Sequence, residues 1–278
     1  MPSGSQQIVQ PHGTTIMGIL NVTPDSFFDG GALSTTAHAR AQAEQMIVDG
    51  AHWLDVGGES SRPGADPVSQ DEELKRVLPV LETLQDLEVH ISIDTYRAET
   101  ARQALMAGAG LVNDITALRG DPAMAEVIAE AGCGCCLMHM RGNPKTMQDA
   151  PAYDDVVDDI CAFFEERIEV AKKAGMADDK IWLDPGFGFG KTVEHNLQIL
   201  NRLEEFQQFK KPILLGTSNK STIGTVLNCE LDDRLEGTAA TIATGILKGA
   251  QIVRVHDVKA MARVASMCDA ILHPGRYS

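Results

Sequence analysis

The sequence predicts a single (β/α)8 barrel, and three observations carry that prediction. Short apolar runs alternate with amphipathic helical patterns from end to end. There are eight such runs, each nearly continuous in apolar residues, as strands of a parallel sheet covered by helices must be. The 278 residues also pass without a break in composition, a repeat or a linker. An open doubly wound sheet could hold eight strands too. The count, the length and the even composition favour closure, because single barrels reach about 250 residues. The chain 1–278 therefore reads as one α/β domain, a single (β/α)8 TIM barrel with long loops after strands one and two.

Strand one is read at 15–20 (TIMGIL) and runs into Asn21 and the turn-rich loop VTPDSFFDGG. Strand two, 52–56 (HWLDV), leads into GGESSRPGADP, which carries Ser61 and Arg62. These two loops, 21–33 and 57–70, are long for connections that usually span about 2–6 residues, and they read as lids over a site. The helix after strand two shows Leu74, Val77, Leu78, Leu81 and Leu84 at helical spacing. Strand three, 90–94 (HISID), delivers Asp94, and strand four, 111–115 (LVNDI), delivers Asn113 and Asp114. Strand five, 134–139 (GCCLMH), ends on His139 between two methionines; strand six, 181–184 (IWLD), ends on Asp184 before PGFGFGK. Strand seven, 212–216 (PILLG), precedes Ser218, Asn219 and Lys220, and strand eight, 252–256 (IVRVH), carries Arg254 and His256. The last helix is marked by Met261, Val264, Ala265, Cys268 and Ile271.

Composition excludes several classes. Thirty-nine acidic against 24 basic residues give a formal charge of −15, which argues against nucleic-acid or anionic-membrane binding. No stretch of 18 apolar residues exists, and the N-terminus lacks a basic and then apolar leader, so the expectation is a cytoplasmic protein. The six cysteines form neither a disulfide framework nor a zinc-site spacing and read as reduced packing residues.

A barrel places function where each strand runs out into its following loop. The polar residues collect there. One such Asp, Asn or Ser could simply cap a helix; seven or eight on one face point to a site. Asp94, Asn113 and Asp184 offer acceptors and a planar amide suited to a flat heterocycle with amino and lactam groups. Lys220 suits a ring carbonyl or nitrogen. Arg62, Arg254 and His256 suit phosphate oxygens. Arg254 and His256 lie two apart on a strand and so share a face, with Val253 and Val255 on the other. GFGFGKT imitates a phosphate-binding loop but has Pro185 where that motif needs glycine, and His139 lacks the neighbours of a metal site. Met138 and Met140 read as packing or as padding a ring, and His139 as a satisfied core residue.

At these residues the chain resembles the dihydropteroate synthase family, a pterin-binding barrel family of folate biosynthesis. The resemblance spans about residues 14–258 and rests on MGILNVTPDSF, DVGGESSRPGA, SIDT, NDI, LMHMRGNPKTMQ, LDPGFGFGK, the Ser-x-Lys of GTSNKSTIG, and RVHDV. It implies a transferase that joins 6-hydroxymethyl-7,8-dihydropterin pyrophosphate to p-aminobenzoate, inhibited by sulfonamides and commonly homodimeric. It further implies a pterin pocket of Asp94, Asn113, Asp184 and Lys220 flanked by Met138 and Arg254. Asn21, Arg62, Arg254 and His256 would hold pyrophosphate, with Mg2+ at Asn21. Ser61, Pro63, Phe189, Lys220 and Ser221 would shape the aminobenzoate pocket, closed by Phe27 and Asp29 of the first loop. Asp94, Lys220, Arg254, His256 and Asp29 would carry the chemistry.

Two positions depart from the family. Asn219 stands where the family has arginine, thinning the cationic island of Arg62, Lys220, Arg254 and His256 that an anionic substrate needs in an acidic protein. Ser61 replaces the commoner threonine and keeps its hydroxyl. Two other readings share parts of this pattern. A corrinoid methyltransferase using methyltetrahydrofolate has the barrel and acidic pterin contacts, but no use for two loops, Lys220 and the Arg254–His256 pair. A non-catalytic pterin-binding paralogue is the reading toward which Asn219 leans.

Overall fold

The computed structural model describes residues 9, 13–22, 32–60, 64–143 and 145–276. The eight strands are β1 (Thr15–Asn21), β2 (Trp53–Gly57), β3 (His90–Asp94), β4 (Leu111–Asp114), β5 (Gly134–Met138), β6 (Ile181–Asp184), β7 (Leu214–Leu215) and β8 (Ile252–Val255). All pair in parallel, in the order β6-β5-β4-β3-β2-β1-β8-β7, and a bridge between Leu183 and Ile213 joins the two edges into a nearly closed barrel. Helices α1 (Ala32–Val48), α2 (Gln70–Leu84), α3 (Ala98–Met106), α4 (Met124–Ala131), α5 (Val156–Lys173) and α6 (Val193–Asn201) each follow their strand. α7 (Ser221–Leu227) and α8 (Leu235–Leu247) both follow β7, and α9 (Val258–Leu272) follows β8. No helix among the described residues is long and apolar enough to cross a membrane.

The strand read at 212–216 is shortened to Leu214–Leu215. Pro212 has no N–H to give a ladder, though its carbonyl accepts from Leu183 N at 2.9 Å. The N–H of Ile213 turns instead to the side-chain carbonyl of Gln251, at 2.8 Å. The barrel's weakest seam therefore lies between β6 and β7. In α9, Met261, Ala265 and Cys268 are buried as their spacing implies, whereas Ile271 is 58% exposed near the helix end.

Strand alternation sorts residues into two populations. Outward-facing Ile16, Leu20, Leu54, Val56, Ile93, Val112, Leu137, Leu183, Val253 and Val255 pack with the helices in the main core. Inward-facing Met17, Trp53, Leu111, Cys136, Trp182, Leu214 and Ile252 form a separate plug in the lower barrel. Trp53 meets Trp182 edge-on at 5.4 Å and stacks on His90 at 4.8 Å. Filling the lower interior with aromatic and aliphatic bulk leaves the upper interior open to polar residues. Two steps farther along each strand, the same inward alternation brings Asp55, Ser92, Asn113, Asp184 and Arg254 to the next level.

Candidate functional site

The strand register assembles the site from residues far apart in sequence. Asn21 pairs with Gly57, Gly57 with Asp94, and Asp94 with Asn113, so one level of four adjacent strands carries three polar side chains around a glycine. Gly57 keeps that level open: a Cβ there would lie 3.5 Å from Asp94 Cβ and 3.8 Å from Asn21 Oδ1. On the far side of the barrel Met138 pairs with Asp184.

Beneath this level sits Asp55, a carboxylate with no solvent exposure in the middle of β2. Its Oδ2 accepts from Arg254 Nε at 2.6 Å and from Asn113 Nδ2 at 3.0 Å. Its Oδ1 accepts from Ser92 Oγ at 2.5 Å. Arg254 extends a second nitrogen to Asp94 Oδ2 at 2.8 Å. Burial opposes the charge of Arg254, but Asp55 and Asp94 override it and hold the guanidinium protonated well above its usual range. Burial pushes the Asp94 carboxyl up to about 7 against the pull of Arg254. Asp184 is also raised by burial, although Gly186 N donates to its Oδ1 at 2.7 Å. Because Asn113 spends its Nδ2 on Asp55, its Oδ1 is the end of the amide turned to a ligand.

The loops after β6 and β7 meet over the other half of the mouth. Lys220 lays its stem across Gly188, where a Cβ would lie 3.1 Å from Lys220 Cδ, and its Nζ is 4.0 Å from the centre of the Phe189 ring. Phe189 packs with Ile115, Met138, Met140 and Met147 in a small apolar cluster. Ser221 begins α7 beside Lys220. Ser218 Oγ lies 2.9 Å from His256 Nδ1 and accepts from the His256 backbone N–H at 3.2 Å, a two-point contact that orients the ring. Asn219 takes a left-handed backbone (φ 59°), which asparagine tolerates, and its carbonyl accepts from Arg234 at 2.8 Å. The departure at this position thus leaves the loop in an anchored conformation.

Asn21, Asp94, Asn113, Met138, Asp184, Phe189, Lys220, Ser221, Arg254 and His256 all stand at the strand ends or the loops leaving them. Asp114 does not join them. It is buried on the opposite face of β4, where its carboxylate accepts from Thr116 N, Thr116 Oγ1 and Leu118 N, each at 2.7 Å. Phe27, Asp29, Ser61, Arg62 and Pro63 lie outside the described residues. His139 is buried beside Lys191, and the Lys191 ammonium is turned onto backbone carbonyls, so GFGFGKT presents no lysine to a phosphate.

Three functional contributors escaped the sequence reading. Asp55 is one; its signal was a carboxylate inside an otherwise apolar strand. Lys191 is another. The third is a clamp on the second loop: Arg97 donates to Glu59 Oε2 (2.7 Å), Glu73 Oε2 (2.8 Å) and the Val68 carbonyl (2.6 Å), while Tyr96 Oη donates to Glu59 Oε1 at 2.8 Å. Glu59 and Val68 flank the segment that carries residues 61–63, so this clamp sets the base of that loop. No local pattern marks Arg97, because its partners lie 24 to 38 residues earlier, on the second loop and on α2.

Among the described residues Asp55, Asp94 and Asp184 stand near Lys220 and Arg254, while Lys191 is buried behind them with its pKa pushed down to about 7 by burial. No group of three or more His, Cys, Asp or Glu side chains among the described residues could hold a metal ion by itself. Asn21 offers one hard amide oxygen at the mouth. That set fits Mg2+, which keeps waters and takes phosphate oxygens alongside one or two protein ligands.

Comparison with known proteins agrees with this geometry. The pterin binding enzyme family matches residues 17–256. The dihydropteroate synthase of Escherichia coli K12 is 48% identical over 269 residues, covering 96% of this chain and 94% of the relative. That of Bacillus subtilis is 48% identical over 263 residues, covering 94% and 90%. Among solved structures, a Yersinia pestis dihydropteroate synthase in a sulfonamide drug complex superposes with a TM-score of 0.89 at 46% identity, covering 94% of each chain. A Clostridium difficile dihydropteroate synthase in the presence of pteroic acid gives 0.88 at 49%, covering 93% of this chain and 97% of that one.

Removing Asp55 strands an amide and a hydroxyl inside the barrel. Asp55→Ala is expected to lower unfolding stability in urea by about 1–3 kcal/mol, the cost of leaving the buried Asn113 amide and Ser92 hydroxyl unsatisfied while Asp94 still pairs with Arg254. A loss under about 1 kcal/mol would show that the Arg254 network is held by something else.

Proposed function

The chain belongs to the pterin binding enzyme family, and from that premise we propose how the residues at its barrel mouth divide the work of the dihydropteroate synthase reaction. As a dihydropteroate synthase it is a transferase of folate biosynthesis, joining 6-hydroxymethyl-7,8-dihydropterin pyrophosphate to p-aminobenzoate and releasing pyrophosphate. The observation that carries the assignment of roles is the Asp55–Arg254–Asp94 network. It fixes one guanidinium and one carboxylate at the place where a flat heterocycle would meet a leaving group.

In this reading the pterin lies across the upper interior. Asp94 and Asp184 accept from its ring N–H and amino groups, Asn113 Oδ1 accepts beside them, and Lys220 donates to a ring carbonyl or nitrogen. Met138 and Arg254 flank the ring. The pyrophosphate extends toward Arg62, Arg254 and His256. Asn21 would hold Mg2+ there together with the pyrophosphate oxygens, and the ion when bound supplies charge neutralisation to the leaving group. Ser61, Pro63, Phe189, Lys220 and Ser221 enclose p-aminobenzoate, where sulfonamides would compete. Phe27 and Asp29 close over both substrates.

The aromatic amine is a poor nucleophile because its lone pair is delocalised into the ring. A dissociative route follows: the C–O bond to pyrophosphate breaks first and its electron pair leaves with the phosphate. Arg254 and His256, fixed before reaction, stabilise that charge together with Arg62. Asp94 and Asp184, with Asp29 from the loop, stabilise the electron-poor pterin methylene. The amine then attacks and gives up its proton, while the closed loops exclude water. The working unit proposed is one barrel spanning 1–278, cytoplasmic and homodimeric. Dimerisation is supported by Val226, Leu227 and Leu231 on and after α7, each at least half exposed to solvent.

Pyrophosphate release measured with and without p-aminobenzoate tests the route. Release with the pterin substrate alone is expected, and strict dependence on the amine would sink it. Lys220→Ala and Arg254→Ala should each lower kcat/KM by at least about tenfold, about 1.4 kcal/mol of transition-state stabilisation; near-native values in both would overturn the assignment. Because the Asp94 carboxyl sits near 7, its acceptor is lost as pH falls through that value. Calorimetric affinity for a pterin lacking pyrophosphate should therefore weaken by up to about tenfold per unit below pH 7. Asp94→Asn should flatten that dependence.

A further inference from the structure

We propose that Lys191 is a positioning residue for the aromatic amine: its ammonium holds the loop after β6 in the one shape that sets Phe189 beneath Lys220. The proposal rests on the reading of Phe189 and Lys220 as walls of the p-aminobenzoate pocket.

Lys191 closes the PGFGFGK segment and is only 3% exposed. Its Nζ lies 2.9 Å from the carbonyl oxygens of Gly186 and Phe189, 3.2 Å from that of His139, and 2.9 Å from His139 Nδ1. Three N–H donors therefore face four acceptors, supplied by His139 just past β5 and by the loop after β6. The ring nitrogen can accept because burial, reinforced by Lys191, holds the imidazole neutral, with its pKa down at about 2. Burial pushes the pKa of the Lys191 ammonium down to about 7 against the pull of Asp184, and the backbone is wrapped around its Nζ through these hydrogen bonds.

The wrap is possible only with glycine. Gly186 and Gly190 have φ of +67° and +63°, and a Cβ at these positions would lie 1.9 Å from the His139 carbonyl oxygen and 2.5 Å from that of Arg141. With the turn drawn onto the ammonium, Phe189 has one place to go. Its carbonyl is held by Lys191, and its ring sits against Met138, Met140 and Met147 with Lys220 Nζ 4.0 Å from its centre. Lys220 in turn crosses Gly188 in the same loop. Tyr153 Oη donates to the Gly190 carbonyl at 2.7 Å and Asn196 Oδ1 accepts from Gly188 N at 2.7 Å, so the outer side of the loop is braced separately. On the inner side, which faces the site, Lys191 acts together with the Gly186 N–H bond to Asp184 Oδ1 (2.7 Å) and the Phe189 N–H bond to the Gly186 carbonyl (3.0 Å).

The alternative is that Lys191 serves stability alone, and steady-state kinetics separates the two. Lys191→Met, Phe189→Ala and the double variant are assayed with each substrate varied at saturating concentrations of the other. Lys191→Met should raise KM for p-aminobenzoate at least about tenfold while changing KM for the pterin pyrophosphate by about threefold or less. Its effect and that of Phe189→Ala should be non-additive in the double variant, as for residues acting through one contact. If Lys191→Met does not fold, Lys191→Gln, which keeps a donor without the charge, carries the same comparison. A lowered Tm with both KM values unchanged, or additive effects, overturns the proposal and leaves the pocket assignment standing. If Phe189→Ala itself leaves KM for p-aminobenzoate unchanged, the pocket assignment falls and this proposal with it.

Discussion

A single buried carboxylate organises the upper half of this barrel. Asp55 accepts from Arg254, Asn113 and Ser92 at once, drawing β8, β4 and β3 onto β2. Burying an ion is costly unless it is paired and fully hydrogen-bonded, and here it is both. The consequence is rigidity where chemistry is to occur: Arg254 cannot swing, because its second nitrogen is held by Asp94. The Asn113 amide cannot flip without losing Asp55. Groups fixed in this way need no reorganisation when charge develops on a substrate, which is how an active site does better than water.

The rest of the molecule follows from keeping that network intact. The apolar plug of Met17, Trp53, Leu111, Cys136, Trp182, Leu214 and Ile252 fills the lower interior, so the polar level rests on a solid floor rather than on water. The helices cover the outer strand faces. The −15 charge of the chain stays compatible with anionic substrates because it is spent elsewhere. On the outer surface Arg202 alone engages Asp155, Asp158 and Glu205, while at the mouth Arg254 is paired with Asp55 and Asp94.

Much of this was legible in the sequence, for physical reasons. Strand positions could be read because strands buried on both faces must be nearly all apolar. The strand at 212–216 was read too long, since Pro212 has no N–H and Ile213 N turns to Gln251, so the ladder starts late. Asp94, Asn113, Asp184, Arg254 and His256 could be read because a barrel exposes strand ends, and a polar residue ending an apolar run stands out. Asp55 could not be separated from a chance interruption, because what makes it tolerable is Arg254, 199 residues away. Arg97 was silent for the same reason: it is defined by partners at 59, 68 and 73 rather than by any local motif.

The sequence by itself determined the eightfold alternation of strand and helix, the closed-barrel class, the motifs of the family and the set of side chains at the mouth. All of these depend on local periodicity and on the order of residues along the chain. Only the tertiary structure decided the working arrangement within that set. It turned Asp114 away from the site and put Asn113 into it, although the two are neighbours. It bound Arg254 to a carboxylate below and another beside it, and it buried Lys191 as the core of a glycine loop. These outcomes depend on cross-strand register and on which groups can share one desolvated space, and neither exists until the sheet has closed.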